Sequence, residues 1–417
     1  MVFPAPFGPR NPNTSPVATS RSMPRTASTA PYVMRRSRTS IAALLMGLGN
    51  GTGAPASTVP VMRRCLVVLA LACASAAGCG SSSHAAPSAA PTTSTSRASV
   101  VPTSSAAPAP GIDWSHLHNP IVTSKDHAVK DAALVAVGGK WFAAFSAVDA
   151  RGTWRVGIEH SADLRAWSSM TFMPHDPSVE GEASPDVVRE PGGPLVITYQ
   201  SFVHDRHGGL AKLYYRTTSD FVHFSAARQL LRPVLTAPSD RLIDPALAWT
   251  PAGLLLGFKT GQDMQAFEIA RSTTGRLDGP WKLVGKPGIR VFGDTIENYQ
   301  FIEIDGRWKL LATSNQLDRP YLFDLVGNAS RPSGWLRWST GRELNVPQES
   351  WNTGRGITGS TYEHANCAYL VDQRSRDGHF YLLCEDASEM SSFGGEGHGA
   401  LALARSVDLT HWSVQTG

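Results

Sequence analysis

From residue 119 to residue 413, apolar residues arrive in short runs or alternate with polar ones. They almost nowhere recur at the 3.6-residue helical period. Such runs, bounded by Gly, Pro and Asp, predict β-strands. They also come in a fixed order: a strand that opens on an acidic or polar residue, a turn, then a second apolar strand. This order starts at Lys130-Asp131, at Pro185-Asp186, at Ile243-Asp244-Pro245, at Glu297-Asn298-Tyr299 and at His364-Ala365-Asn366. Each unit then closes on an aromatic residue. Ser161-Ala-Asp-Leu-Arg-Ala-Trp167 matches Ser219-Asp-Phe-Val-His-Phe224 and Ser406-Val-Asp-Leu-Thr-His-Trp412, and looser versions end at Trp281 and Trp338. The openings lie 55, 58, 53 and 67 residues apart, and the closing aromatics 57, 57, 57 and 74 apart.

Five units of four short strands predict an all-β chain, a five-bladed β-propeller over residues 111–417. The repeat also answers a question of size. About 307 residues exceed what one ordinary core holds, whereas blades packed side by side enlarge the core around a ring. The closing aromatics are expected to pack between blades, each stabilising the fold by about 1.5–3 kcal/mol if fully buried.

Charge divides the chain. Residues 1–110 hold nine Arg and no Lys, Asp or Glu, so the chain's net charge of +4 arises from this part, and residues 111–417 carry about −5. The body lacks a basic run, which argues against a nucleic-acid partner. Met62-Arg63-Arg64 precedes an apolar run from Cys65 to Gly78, too short to span a bilayer and typical of an export signal. It ends Ala76-Ala77-Gly78-Cys79, which looks like a bacterial lipobox with Cys79 as the lipidated residue. A plain cleaved signal is the alternative. Residues 62–79 are therefore expected to be a lipoprotein signal, and the Ser/Ala/Pro/Thr-rich residues 80–110 a disordered tether. Residues 1–61 precede that signal and are expected to be untranslated or disordered. Localisation follows: exported, and either lipid-anchored outside the bacterial membrane or secreted. Cys367 and Cys384 flank a turn near Arg376-Asp377-Gly378. Export permits a disulfide between them, and two separately buried thiols are the alternative.

The innermost strand of a propeller blade starts near the axis, so Asp131, Asp186, Asp244, Glu297 and His364 are expected to converge on one acidic funnel. Carboxylates at close range oppose each other's ionisation, which marks the cluster as a functional candidate. The pattern resembles the five-bladed propellers of glycoside hydrolase families 43 and 62, largely α-L-arabinofuranosidases and β-xylosidases, over most of 119–413. Lys130-Asp131 is similar to the pair that opens blade one in family 62, Tyr199-Gln200 to a Tyr-Gln of that family, and Ile243-Asp244-Pro245 to the third-blade Asp motif. Three departures stand out: Asn298-Tyr299 after the acid, Ala183-Ser184 before Pro185-Asp186, and Glu363 before His364.

The resemblance implies an inverting hydrolase with Asp131 as general base, Glu297 as general acid, and Asp244 orienting the acid and tuning its proton affinity. Inversion needs the two working carboxyls roughly 6.5–9.5 Å apart, with a water between. Lys130, Asp186 and Gln200 are expected to meet sugar hydroxyls. His364 is expected near one structural calcium ion, bound through water, or to donate to a carboxylate, or to pack on the axis. The expected partner is a polysaccharide or oligosaccharide such as arabinoxylan, the body is expected to be monomeric, and no organic cofactor is expected. A non-catalytic sugar-binding propeller is the competing reading. Gly395-Glu-Gly-His-Gly399 has no helix after it and reads as a loop. Asn328-Ala-Ser330 is a glycosylation sequon by pattern alone.

Overall fold

The computed structural model describes residues 110–415 except 203–210, 233–240, 261–265, 292–294, 315–318, 348, 350–353, 356–360, 363–365 and 391–397. The expected signal, lipobox and tether, and His364, lie outside the described residues.

A 3-10 turn (Trp114–His116) leads into β1 (Val122–Thr123). Blade one is β2 (His127–Val137), β3 (Lys140–Asp149), β4 (Trp154–Ser161) and β5 (Thr171–Phe172). Blade two is β6 (Gly181–Arg189), β7 (Leu195–Phe202), β8 (Ala211–Thr218) and β9 (Arg228–Gln229). Blade three is β10 (Leu242–Thr250), β11 (Gly253–Thr260), β12 (Ala266–Ser272) and β13 (Trp281–Gly285). Blade four is β14 (Ile296–Ile304), β15 (Arg307–Ser314), β16 (Pro320–Asp324) and β17 (Arg342–Glu343). A short hairpin follows, β18 (Gly354–Arg355) with β19 (Thr361–Tyr362). Blade five is β20 (Cys367–Asp372), β21 (Phe380–Met390), β22 (His398–Ser406) and β23 (Trp412–Val414).

The first strands of the blades touch in a closed circuit, β2 to β6 to β10 to β14 to β20 and back to β2. That circuit makes the fold the expected five-bladed propeller. Blade five differs from the simple repeat because the chain closes its ring there. Its outer edge is shared: β1 pairs with β22 at Val122–Leu401, and β23 pairs with β22 at Ala404–Val414. Asn119 locks the seam. Its amide donates to the carbonyls of Leu403 and Gln415 and accepts from the Leu403 N–H, all from a buried side chain. Asn119→Ala is expected to lower the unfolding free energy by about 2–3 kcal/mol, measured by urea denaturation, because three backbone groups lose their partner.

The core is distributed between blades rather than gathered at one centre. One cluster joins blades five, one and two around Trp141, Phe145 and Tyr199. Others join two to three around Phe258 and Trp281, three to four around Phe301 and Trp335, and four to five around Phe380 and Trp412. Trp167, Phe224 and Trp338 lie against the same clusters. The turns before three of the closing aromatics are built alike. Asp163, Asp220 and Asp408 each accept two backbone N–H groups through one oxygen, at Arg165 and Ala166, Val222 and His223, and Thr410 and His411. This lets Leu164, Phe221 and Leu409 take left-handed φ of 63°, 58° and 63° with their side chains buried.

Cys367 and Cys384 stand opposite each other across β20 and β21 and form a disulfide. This decides the alternative that the sequence leaves open.

Candidate active site

The first strand of every blade is interrupted at the same place. The register slips between Lys130 and Ala133, Ala183 and Asp186, Ile243 and Ala246, Glu297 and Gln300, and Cys367 and Tyr369. Each slip is a β-bulge, which bends a strand and re-aims a side chain. In the first four blades one residue at the bulge has a left-handed φ: Asp131 at 51°, Ser184 at 50°, Asp244 at 52° and Asn298 at 52°. Non-glycine residues with β-carbons rarely hold that region, and strain of this kind gathers at functional sites.

The bulges correct the sequence alignment of blade openings. Asp131 and Asp244 are structural equivalents, but the blade-two equivalent is Ser184 and the blade-four one is Asn298. Asp186 lies two residues past its bulge position, and Glu297 one residue before it. The Pro-Asp and Asp-Pro pairs look alike in sequence, yet the inserted residue changes which one faces the site.

Asp186 sits where blade four has Gln300. Both hold the next blade: Asp186 Oδ2 accepts the Leu247 N–H at 2.9 Å, while Gln300 accepts the Leu370 N–H and donates to the Leu370 carbonyl. The second strands carry a matching set of polar residues at one register position, namely Ser146, Gln200, Lys259, Thr313 and Glu385. Together they form a girdle from blade to blade. Ser146 Oγ accepts the Ser184 N–H, Gln200 Oε1 the Asp244 N–H and Glu385 Oε1 the Asp131 N–H, at 2.8, 2.9 and 2.6 Å. Thr313 donates to Asn366 Oδ1, and Lys259 Nζ reaches Glu297 Oε2 at 3.0 Å. Three of the four strained bulge residues are thus held by their own N–H from the neighbouring blade.

Asp186 and Gln200, read from sequence as contacts for sugar hydroxyls, are both buried, and Asp186 Oδ2 and Gln200 Oε1 accept blade-three backbone N–H groups. Lys130 stands with Nζ over the Trp154 ring, 5.2 Å from its centroid.

Asp131, Asp244 and Glu297 are brought together. Asp131 is buried, and its Oδ2 accepts from Ser146 Oγ at 3.0 Å and Ser184 Oγ at 3.4 Å. Asp244 is buried too. Burial pushes its carboxyl up to about 6; Lys259 pulls it down, and the charges of Glu297 and Asp131 push it further up. The three carboxylates therefore feel one another, with Asp244 as the shared member. Glu297 is the most open of them and is paired with Lys259, whose side chain is 1% exposed. A cavity of about 20 Å³ is lined by residues of all five blades, among them Asp131, Asp186, Pro245, Asn298, Ala368 and Tyr369. Burial raises the Asp186 carboxyl to about 7, and its Oδ1 has no hydrogen-bond partner. Among the described residues no group of three or more His, Cys, Asp or Glu side chains is placed to hold a metal ion.

Sequence reasoning passes over Ser146, Ser184, Lys259 and Glu385. Lys259 directly follows the apolar run Gly253–Phe258, as Gln200 follows the run from Leu195 to Tyr199, and that parallel is the available signal.

No protein-family model matches the chain, and no curated protein matches it in sequence. Solved structures do match. An α-L-arabinofuranosidase from Lactobacillus brevis aligns over 73% of this chain and 99% of its own, with 12% identity and a TM-score of 0.51. A glycosyl hydrolase from Bacteroides ovatus aligns over 70% and 93%, with 13% identity and a TM-score of 0.50. A family 43 endo-arabinanase from Bacillus licheniformis aligns over 68% and 95%, with 14% identity and a TM-score of 0.45. The first two likenesses agree with the circuit of strands: the chain has the five-bladed propeller fold that occurs in glycoside hydrolases. At these identities the likeness establishes the fold, and chemistry has to be argued from the site.

Proposed function

We propose that this chain is an inverting glycoside hydrolase, an α-L-arabinofuranosidase acting on arabinose-substituted plant polysaccharide such as arabinoxylan. The observation that carries the reading is the meeting of three carboxylates from blades one, three and four, two of them on strained bulges tied down by the adjacent blade. Strain held this way serves a fixed geometry, which acid–base chemistry needs.

Asp131 is the general base. Two hydroxyls bind its Oδ2, which leaves Oδ1 to take a proton from water. The water oxygen bonds to the anomeric carbon, the glycosidic bond breaks, and the leaving oxygen takes a proton from Glu297. Asp244 feels the charges of both and orients the acid between them. The export signal, the Cys79 anchor and a calcium ion near His364 belong to the same proposal. Supported calcium binding would appear as a melting temperature raised by calcium and lowered by chelator; a melting temperature indifferent to both would remove the ion from the proposal.

One observation favours a second reading, a sugar-binding propeller without turnover. The Lys259–Glu297 ion pair suits a carboxylate, and a proton donor has to leave that pair. Release of free arabinose and xylose from arabinoxylan by residues 111–417 separates the two. Arabinose released by the wild type and lost in Glu297→Gln supports the enzyme; oligosaccharide binding by calorimetry without release supports the binding protein.

A further inference from the structure

The girdle has one member that does not fit its own pattern. Ser146, Gln200 and Glu385 accept a backbone N–H from the next blade, and Thr313 donates to an Asn366 side chain. Lysine has three donors and no acceptor, so it cannot take an N–H as these neighbours do. Lys259 is nevertheless almost wholly enclosed, with a side-chain exposure of 1%. An enclosed ammonium is unfavourable unless it is paired and hydrogen-bonded, and an apolar side chain of similar length would fill the space without that cost. The position therefore selects for charge. The charge points at the Glu297 carboxylate, 3.0 Å away, and also acts on Asp244, one blade strand over.

We propose that Lys259 is a positioning residue of the site: its ammonium holds the Glu297 carboxylate beside Asp244 and sets the pH range over which the carboxylate pair exchanges its proton. The part concerning proton exchange rests on the glycosidase reading; the holding and the charge balance do not. The ionisable groups around it are few among the described residues. Asp244 comes from β10, Glu297 and Tyr299 from β14, and Asp131 from β2 acts on Asp244 across the axis. Glu268 of β12 is engaged by Lys286 at 2.9 Å, and Asp186 of β6 is turned to Leu247. Two carboxylates thus share one ammonium, and Asp131 adds its charge to one of them. Removing that ammonium leaves Asp244 facing like charges alone, and its affinity for a proton rises.

The test compares Lys259→Met with Lys259→Arg in residues 111–417. Met keeps the length and removes the charge; Arg keeps the charge. In Lys259→Met the basic limb of the kcat/KM profile on an arabinofuranoside is expected to move up by about one to three pH units, because an opposite charge at this range has that effect on a carboxyl. Lys259→Arg is expected to keep the limb close to the wild-type position. A residue that only packs would change kcat/KM or stability in both variants and leave the limb in place. Carbon-13 NMR titration of the Asp and Glu carboxyls gives a reading without turnover: the Asp244 midpoint is expected to rise in Lys259→Met and not in Lys259→Arg. Should the Met variant not fold, Lys259→Gln, which reaches Glu297 without charge, is read the same way. A folded charge-free variant whose Asp244 midpoint stays within about 0.3 unit of the wild type overturns the proposal. A shifted midpoint in a protein that hydrolyses no glycoside upholds the charge balance and sinks the glycosidase reading instead.

Discussion

Asp131→Asn is expected to fold normally, bind arabinoxylo-oligosaccharide and lose turnover by about 10²–10⁴-fold, the usual contribution of a positioned general base. The fold should survive because the contacts of Asp131 do not need its charge. Its backbone N–H goes to Glu385 Oε1, and the hydroxyls of Ser146 and Ser184 donate to Oδ2, a bond that an amide oxygen accepts equally well. The left-handed φ of 51° is also tolerated by Asn at least as well as by Asp. What the amide cannot do is take a proton from water. Kinetics on an aryl arabinofuranoside, with calorimetry on the same variant, check the expectation. A variant retaining more than about a tenth of wild-type kcat would remove Asp131 from the chemistry.

Asp186→Asn has the opposite character, a gain in stability. Burial lifts the Asp186 carboxyl to about 7 in the folded protein, far above its value in an unfolded chain. The folded state therefore holds this proton more tightly than the unfolded state. Its contribution to stability is fully present below about pH 4, declines as pH rises, and is lost above about pH 7. In the presence of chelator the wild type should therefore lose up to about 4 kcal/mol from this group between pH 4 and pH 8. The amide does not ionise. It can also repeat what Gln300 does one pair of blades on, accepting a backbone N–H through its oxygen. Denaturant unfolding at pH 5 and pH 8 is the check: the variant should be the more stable protein at pH 8, and its stability should fall less with pH. Equal pH dependence in the two proteins would mean that Asp186 is ionised in the fold and has found a partner. Glu159, also raised to about 7 by burial, adds to the same slope in both proteins and cancels in the comparison.

Much of this architecture could be read along the chain. Spacings near 57 residues between closing aromatics exposed five units, and Asp131 and Asp244 stood at their openings. Both are recognisable because a strained bulge needs a residue that tolerates left-handed φ, and Asp is one of few. The same logic failed at Asp186. There the strained residue is Ser184, which carries no signal of its own, and the nearby Asp was aligned in its place. Glu297 was found one residue from the blade-four bulge, since Asn298 takes the strained position.

The sequence alone determined the blade strands and the number of blades, though not the extra hairpin of β18 and β19. Those follow from alternation and turn chemistry within a few residues, and each blade repeats the same local solution. Only the tertiary structure decided which polar groups meet. The N–H of Asp131 is held by a carboxylate 254 positions away, and Glu297 by an ammonium 38 positions away on another blade. Ring closure likewise depends on Asn119 reaching Leu403 across 284 positions. Such pairs leave no periodic trace, because a single polar residue at a strand end looks the same whether it faces water or a neighbouring blade. Burial separates the two cases, and burial exists only once the blades have packed.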